Sequence, residues 1–136
     1  MQYSPKVMEM FKNTVNMGRI EDADGIGKVG NPVCGDVMWI YIKVDENEVI
    51  TDCKFETFGC VAAIATSSLA TELVKGKRIE EALQVTNKRI VDLLGGLPKE
   101  KHHCSVLAED GIRNAIEDYR KKKSQASGLK SQENPG

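Results

Sequence analysis

The sequence predicts a single α+β domain in which a β-hairpin lies between helical segments. Residues 37–44 (VMWIYIKV) and 49–58 have the composition of strands, and the turn residues Glu46 and Asn47 separate them. Two such segments joined by a short turn are predicted to pair as an antiparallel hairpin. Apolar residues at helical spacing precede the hairpin and follow it. The length of 136 residues suits one domain.

The chain is predicted to begin with a short helix near 4–12, because Ser4 and Pro5 form an N-cap followed by proline at the first helical position. Residues 13–36 are rich in glycine and are predicted to form a long loop, a type of segment that is often functional. The stretch GIGKVG at 25–30 matches the dinucleotide-binding string. That motif needs a strand before it and a helix after it, and this stretch follows a polar loop and precedes Asn31-Pro32, so a phosphate site is not predicted.

The second strand of the hairpin alternates between two faces. One face holds Val49, Thr51, Cys53, Phe55 and Thr57, and the face that should meet water holds Ile50, Asp52, Lys54 and Glu56. Cys53 is therefore interpreted as a small buried apolar residue.

Three further helical regions follow the hairpin. Residues 60–74 predict a largely buried helix, residues 79–94 predict one or two helices with a joint at Thr86-Asn87, and Gly95-Gly96 ends them. The last helix is predicted over 104–122, with an apolar stripe of Ala108, Ile112, Ala115, Ile116 and Tyr119. Gly111 inside this helix has no explanation in the sequence. Residues 1–122 are assigned to the folded domain, and 123–136 to a basic and polar tail predicted to be disordered.

Composition excludes several classes of protein. The formal net charge of −1 gives no strong attraction to nucleic acid or to an anionic membrane. The longest uncharged run, 57–71, is too short to span a bilayer, and the first residues lack a signal-peptide pattern. A cytoplasmic protein is expected, in which four reduced cysteines favour a metal or catalytic role over disulfides.

Three of the cysteines lie where predicted elements begin or end. Cys34 precedes the first strand, Cys60 joins the second strand to a helix, and Cys104 opens the last helix. The N-terminal N–H groups of a helix stabilise a thiolate or a bound anionic cluster. Asp36 is two residues from Cys34, so both side chains can face one centre in an extended segment. Spacings of 25 and 43 intervening residues match no compact ligand pair, so a shared metal site and separate packing roles remain comparable alternatives.

The stretch KHHCS at 101–105 is compatible with two roles, as part of a metal-binding site or as a catalytic pair of histidine and cysteine. At most one of His102 and His103 is expected to face a common centre, because neighbours on a helix diverge by about 100°.

These cysteine contexts resemble those of the iron–sulfur cluster scaffold family, the IscU proteins and the N-terminal domain of NifU. The resemblance covers about residues 3–120. It rests on NMGRIEDADGIG (16–27), GNPVCGDVM (30–38), FETFGCVAAIATSS (55–68) and GGLPKEKHHCSVLAEDGI (95–112).

The resemblance implies a small antiparallel sheet with helices packed on one face and a cluster site at one end. It implies a scaffold, not an enzyme, on which a 2Fe–2S cluster is assembled from iron and sulfur supplied by a cysteine desulfurase, then passed to apo-proteins. The family's thiolate ligands fall on Cys34, Cys60 and Cys104, its aspartate on Asp36 and its histidine on His103. Cys104 is also the position that accepts sulfur. Whether Asp36 or His103 is the fourth ligand stays open, as does a homodimer or higher oligomer.

The chain departs from the family at two strings. LPKEK at 97–101 stands where bacterial and mitochondrial members carry Leu-Pro-Pro-Val-Lys. Because Lys99 and Glu100 replace Pro and Val of the string that an Hsp70-type chaperone binds, that partnership is doubtful. NTVN at 13–16 stands where Asn-Pro-Arg-Asn is usual.

Two other functions remain alternatives. A zinc protein could use the same ligands, since tetrahedral cysteine with aspartate or histidine suits zinc. A thiol enzyme such as a sulfurtransferase could use Cys104 and His103, although adjacent helical side chains are expected to diverge.

Overall fold

The computed structural model describes residues 3–31 and 36–133, with side chains described at 3–30 and 37–125. Within these residues three strands form one antiparallel sheet in the order β1-β2-β3. A single 3-10 turn, Lys99–Lys101, leads into the last helix. The elements in chain order are α1 (Pro5–Lys12), β1 (Gly25–Asn31), β2 (Asp36–Val44), β3 (Ile50–Thr57), α2 (Val61–Val74), α3 (Ile79–Ala82), α4 (Asn87–Leu93) and α5 (His102–Glu133).

The helices α2 and α5 pack against one face of the sheet, α5 on β1 and β2 and α2 on β3. Met38, Ile40 and Ile42 alternate along β2 and are buried under these helices together with Phe55 of β3. On the opposite face Trp39, between Met38 and Ile40, lines a cleft. The predicted α+β class and the predicted hairpin of β2 and β3 are confirmed.

Local capping explains where two helices begin. The Ser4 hydroxyl accepts a hydrogen bond from the Val7 amide at 3.1 Å and donates one to the Leu94 carbonyl, so it caps α1 and ties it to the end of α4. The Thr86 hydroxyl accepts from the Arg89 amide at 3.2 Å, at the predicted joint before α4. Both starts follow the preference of Ser and Thr for the N-cap.

The prediction of an unbroken loop over 13–36 is wrong, because Gly25–Asn31 is strand β1. Its glycines face α5 at very short range. A Cβ at Gly25 would lie 2.2 Å from the Ala115 carbonyl oxygen, and one at Gly27 would lie 2.2 Å from the Gly111 carbonyl oxygen. The glycine repeat therefore serves close packing of a strand on a helix, a role that residue propensities do not reveal.

The same contact accounts for Gly111 in the middle of α5. A Cβ at Gly111 would lie 2.7 Å from Cγ1 of Ile40 and 3.6 Å from Cγ2 of Val29. The helix can approach the sheet this closely because Gly27 has no side chain toward the helix backbone and Gly111 leaves room for the side chain of Ile40.

The predicted face of β3 is wrong at its first residues. Ile50 was expected to face water and is fully buried, whereas Thr51 is exposed. Lys43 pairs with Asp52 but Val44 pairs with Ile50, so the register shifts there and Thr51 is an extra residue. A bulge of this kind reverses the alternation on one side of it. Beyond the bulge, Cys53 and Phe55 point to the core as predicted.

The last helix is longer than predicted at both ends. It begins at His102 and continues to Glu133, whereas the predicted helix covered 104–122 and a disordered tail was predicted over 123–136; residues 134–136 lie outside the described residues. The segment has no proline before Pro135, and its Lys, Gln, Ala and Ser residues tolerate a helix. Along 3–31 and 36–133, no helix is both long and apolar enough to cross a membrane.

Candidate functional site

Cys60 lies at the N-terminus of α2, where β3 ends. It is the N-cap residue of the helix, with an extended backbone (φ −80°, ψ −176°), and it is partly exposed. The hydroxyl of Thr57 donates to the Val37 carbonyl at 2.7 Å and accepts from the Gly59 amide at 3.0 Å. These bonds fix the turn that points Cys60 toward the end of the sheet.

Cys104 lies in the first turn of α5 and is fully buried. Its sulfur is 3.9 Å from the sulfur of Cys60. The Thr66 hydroxyl donates to the Cys104 carbonyl at 3.4 Å, which links α2 to α5 beside the two thiols. Two cysteines that are 44 positions apart in sequence therefore meet at two helix N-termini.

The two histidines point to different partners. Nε2 of His103 lies 3.5 Å from the Cys104 sulfur, whereas Nε2 of His102 lies 3.0 Å from the Leu97 carbonyl oxygen. One histidine faces the thiols, as expected. The expectation that adjacent helical side chains diverge too far for contact is wrong for His103 and Cys104, because the imidazole reaches back to its neighbour.

An apolar wall surrounds the buried thiol. Ala62 and Ala63 of α2 form a small buried cluster with Cys104, and Tyr3 and Leu97 pack against it. Such a wall keeps bulk water from a thiol or from iron bound to it. The sequence places Tyr3 at helical spacing with Val7, Met10 and Phe11, which indicates a core position, whereas Leu97 belongs to no periodic segment.

Lys101 is a residue of the site that the sequence reading missed. The pKa of its ammonium group is raised, first by the charge of Cys60, which outweighs the opposing effect of burial, and further by a hydrogen bond to that thiol. The Lys101 ammonium is thus a cation that interacts with the thiol pair, and it favours negative charge there. Its position in KEKHHCS, three residues before Cys104, is the signal that could have identified it.

Cys34 lies outside the described residues, and of Asp36 only the backbone at the start of β2 is described. No group of three or more histidine, cysteine, aspartate or glutamate side chains suited to a metal ion occurs within the described part of the chain. The structure thus brings Cys60, His103 and Cys104 together, and the complete ligand set stays a prediction.

Cys53 is separate from this site. It is fully buried on β3, and burial raises the pKa of its thiol. A thiol that resists ionisation is a poor ligand and nucleophile. The interpretation of Cys53 as a core residue is confirmed.

Soft sulfur ligands next to an imidazole suit iron–sulfur iron and zinc, whereas magnesium and calcium prefer oxygen. Cys60 is partly exposed and contacts the fully buried Cys104, so the thiol pair reaches the surface only at Cys60. Cys60, His103 and Cys104 therefore supply side chains of the type that soft metals prefer, and Cys60 presents them at the surface.

Comparison with protein families matches residues 2–126 to the NifU-like N terminal domain. Iron-sulfur cluster assembly scaffold protein IscU 1 of Archaeoglobus fulgidus is 60% identical over 128 residues, which cover 94% of this chain and 83% of that protein. The protein named IscU from Haemophilus influenzae is 52% identical over 125 residues, covering 90% of this chain and 98% of that protein.

Solved structures share the fold. The crystal structure of FiSufU from Fervidobacterium islandicum AW-1 has a TM-score of 0.69 and 26% identity, covering 84% of this chain and 96% of that one. The N-terminal part of a NifU-like protein from Brucella abortus has a TM-score of 0.70 with 21% identity, covering 88% of this chain and 94% of that one.

Proposed function

Because the chain belongs to the family of the NifU-like N terminal domain, we propose that it is a scaffold on which an iron–sulfur cluster is assembled and then passed to apo-proteins. Its relatives from Archaeoglobus fulgidus and Haemophilus influenzae carry the name of such scaffolds. The observation that carries the proposal is the 3.9 Å approach of the Cys60 and Cys104 sulfurs at the N-termini of α2 and α5.

The cargo is a 2Fe–2S cluster, held by Cys34, Cys60 and Cys104. A 2Fe–2S core of charge +2 bound by three thiolates has a formal charge of about −1, which the helix N-termini and the Lys101 ammonium favour. The fourth ligand is Asp36 or His103. Either is harder than thiolate, so one iron is held less firmly and the cluster can leave.

Sulfur reaches the site through Cys104. Its thiolate attacks the terminal sulfur of a persulfide on a cysteine desulfurase, which leaves the persulfide on Cys104 and a thiolate on the donor. Because Cys104 is fully buried, the donor must displace part of the wall formed by Tyr3 and Leu97.

A partner can dock beside Cys60. Phe58, two residues earlier in the chain, is 82% exposed. Its ring meets that of Trp39 edge-on with 5.8 Å between centroids, so two aromatic side chains form an apolar surface close to Cys60 in sequence. Exposed aromatic residues of this kind are common anchors in protein interfaces.

The partners are a cysteine desulfurase and apo iron–sulfur proteins, and two or more copies of the scaffold can associate. LPKEK at 97–101 speaks against an Hsp70-type chaperone. Reduced cysteine ligands fit a cytoplasmic site of action. The chain acts as a carrier and has no turnover of its own.

One observation favours a second candidate, a thiol enzyme. Nε2 of His103 lies 3.5 Å from the Cys104 sulfur, a distance at which imidazole can serve as base for a nucleophile. Complete burial of Cys104 opposes it, since a substrate has no access to the sulfur in this conformation. Zinc bound by the same residues would instead give a structural or regulatory protein.

The test is anaerobic reconstitution of the full chain with ferrous iron, cysteine, a cysteine desulfurase and a dithiol that supplies electrons. The expected product has sulfide-to-iron absorption in the visible spectrum and equal counts of iron and sulfide. Cys53→Ala should bind the cluster like the natural chain, whereas Cys34→Ser, Cys60→Ser and Cys104→Ser should each fail to hold it.

Three results would contradict this assignment. A colourless protein that retains zinc after dialysis against a chelator would favour the zinc role. Metal-independent turnover of thiosulfate that is lost in His103→Ala would favour the thiol enzyme. Equal loss of cluster in Cys53→Ala would show that the wrong thiols were assigned.

A further inference from the structure

Cys60 and Cys104 form a pair of contacting thiols that differ in exposure. Their sulfurs are 3.9 Å apart, Cys60 is partly exposed and Cys104 is 0% exposed. A small oxidant in solution therefore reaches Cys60 first and has Cys104 directly behind it.

We propose that in the metal-free protein this pair is an oxidative modification site, at which hydrogen peroxide converts Cys60 and Cys104 into a reversible disulfide. This inference depends only on the positions of the two thiols and not on the proposed scaffold function.

The geometry requires a modest movement. A disulfide has an S–S length of about 2.05 Å. The sulfurs must therefore approach by about 1.9 Å from their separation of 3.9 Å. Cys60 is an N-cap residue with an extended backbone, and Cys104 is in the first turn of its helix, so neither is held in a helix interior. Rotation of the two side chains can supply the movement without unfolding an element.

The chemistry proceeds in two balanced steps. The Cys60 thiolate attacks one oxygen of hydrogen peroxide, the O–O bond breaks, and the products are a sulfenic acid and hydroxide. The Cys104 sulfur then attacks the Cys60 sulfur, the S–O bond breaks, and hydroxide leaves with the thiol proton as water. The hydroxide from the first step takes up the proton that Cys60 released on forming its thiolate. The cysteines thus lose two electrons in total, and peroxide is reduced to two molecules of water.

The disulfide has two consequences. It removes two sulfur ligands, so iron or zinc cannot be held at the pair until a dithiol reduces the bond. It also consumes the sulfenic acid before more peroxide can convert it to the irreversible sulfinic acid. The empty site is thereby blocked and protected in the same reaction.

The test uses the full chain freed of metal with a chelator, reduced, desalted and treated with equimolar hydrogen peroxide. Intact mass spectrometry should show a loss of about 2 Da for the two hydrogens, and peptide mapping should find Cys60 joined to Cys104. Cys53→Ala should form the same bond at a rate within about twofold of the natural chain, because Cys53 is buried on β3 away from the pair. A dithiol should restore both thiols in every case.

Two single-cysteine changes separate the roles of the pair. In Cys104→Ser, Cys60 should gain oxygen and proceed to sulfinic acid, because the resolving thiol is absent. In Cys60→Ser, Cys104 should react slowly, because it is buried. Circular dichroism checks that both variants fold.

The natural chain alone can overturn the proposal. The proposal would be contradicted by a peptide map that shows mainly disulfides to Cys34, disulfides between two chains, or sulfinic acid at Cys60. An equal oxidation rate of Cys104 with and without Cys60 would contradict the order of the steps.

Discussion

Gly27 of β1 lies against the backbone carbonyl of Gly111 in α5, so closely that a Cβ at Gly27 would be 2.2 Å from that oxygen and 2.6 Å from the Ala115 amide nitrogen. The neighbouring atoms belong to the backbone and cannot turn aside. The helix that carries Cys104 is thus seated on the sheet through a contact between two glycines.

Gly27→Ala should therefore destabilise the protein strongly. We expect a loss of about 3 kcal/mol in the free energy of unfolding, at the upper end of the range for overpacking. Urea unfolding followed by circular dichroism measures it. Lys28→Ala, on the exposed side of the same strand, is the matched control and should cost no more than about 1 kcal/mol, because it removes only a contact of the ammonium with the Trp39 ring.

Gly111→Ala should cost less than Gly27→Ala. The added methyl group meets a side-chain atom, Cγ1 of Ile40 at 2.7 Å, and alanine also gains about 1 kcal/mol of helix propensity. The same urea measurement applies. A larger loss for Gly111→Ala than for Gly27→Ala would show that the sheet and helix are spaced differently from this structure.

Burial of Cys53 predicts a pH dependence of stability. Because burial raises the pKa of its thiol, the folded protein keeps the proton at a pH where the unfolded chain releases it. The contribution of the buried thiol to the free energy of unfolding is fully present below the unfolded pKa of about 8.5. Above that pH it is lost by about 1.4 kcal/mol per pH unit. Urea unfolding under reducing conditions from pH 8 to 10 should show this loss, and Cys53→Ala should have a shallower dependence. Identical slopes would mean that the thiol is not protected from solvent.

Leu97→Ala should expose the buried thiol. Leu97 packs on the cluster that contains Cys104, so its truncation opens the apolar wall. Alkylation of Cys104 by iodoacetamide in the folded metal-free protein, located by peptide mapping, should accelerate about tenfold, consistent with about 1.4 kcal/mol less protection. Leu93→Ala, at a residue that is 37% exposed, is the control and should leave the rate unchanged. An unchanged alkylation rate in Leu97→Ala would show that Leu97 does not shield the Cys104 thiol.

Removal of 124–136 should leave the melting temperature and the cluster content unchanged within error. The truncation keeps Lys123, whose ammonium lies 3.3 Å from the Glu48 carboxylate. It removes the last part of α5, so the helical signal at 222 nm should fall while stability does not. A lower melting temperature would show that this part of the helix docks on the domain.

Asp36→Ala should hold its cluster longer than the natural chain and transfer it more slowly to an apo-ferredoxin. Asp36 begins β2, two residues from Cys34. In the proposed scaffold function its negative charge disfavours an anionic cluster and so promotes release. Another group, with His103 the first candidate, must then complete the iron coordination. Cluster lifetime in air and transfer rate, measured side by side, provide the check; faster loss would identify Asp36 as a required ligand.

Local chemistry made much of the fold predictable. The caps at Ser4 and Thr86, the hairpin turn and the apolar stripe of α5 depend on neighbouring residues, so α1, α4, β2, β3 and most of α5 lie close to their predicted positions. The positions of Cys60 and Cys104 at helix N-termini were predictable for the same reason. The family resemblance added the prediction that the helices pack on one face of the sheet.

The sequence by itself determined the residue types of the site and the ends of the elements that carry them, because capping and periodicity act over a few residues. Only the tertiary structure decided that Gly25–Asn31 is a strand, since its glycines have no side chains to show a pattern and are explained by a helix 84 positions away at Gly111. It also decided that Thr51 bulges and buries Ile50. Likewise, the 3.9 Å meeting of Cys60 and Cys104 depends on how α2 and α5 pack on one sheet, a long-range arrangement that no spacing between the cysteines encodes.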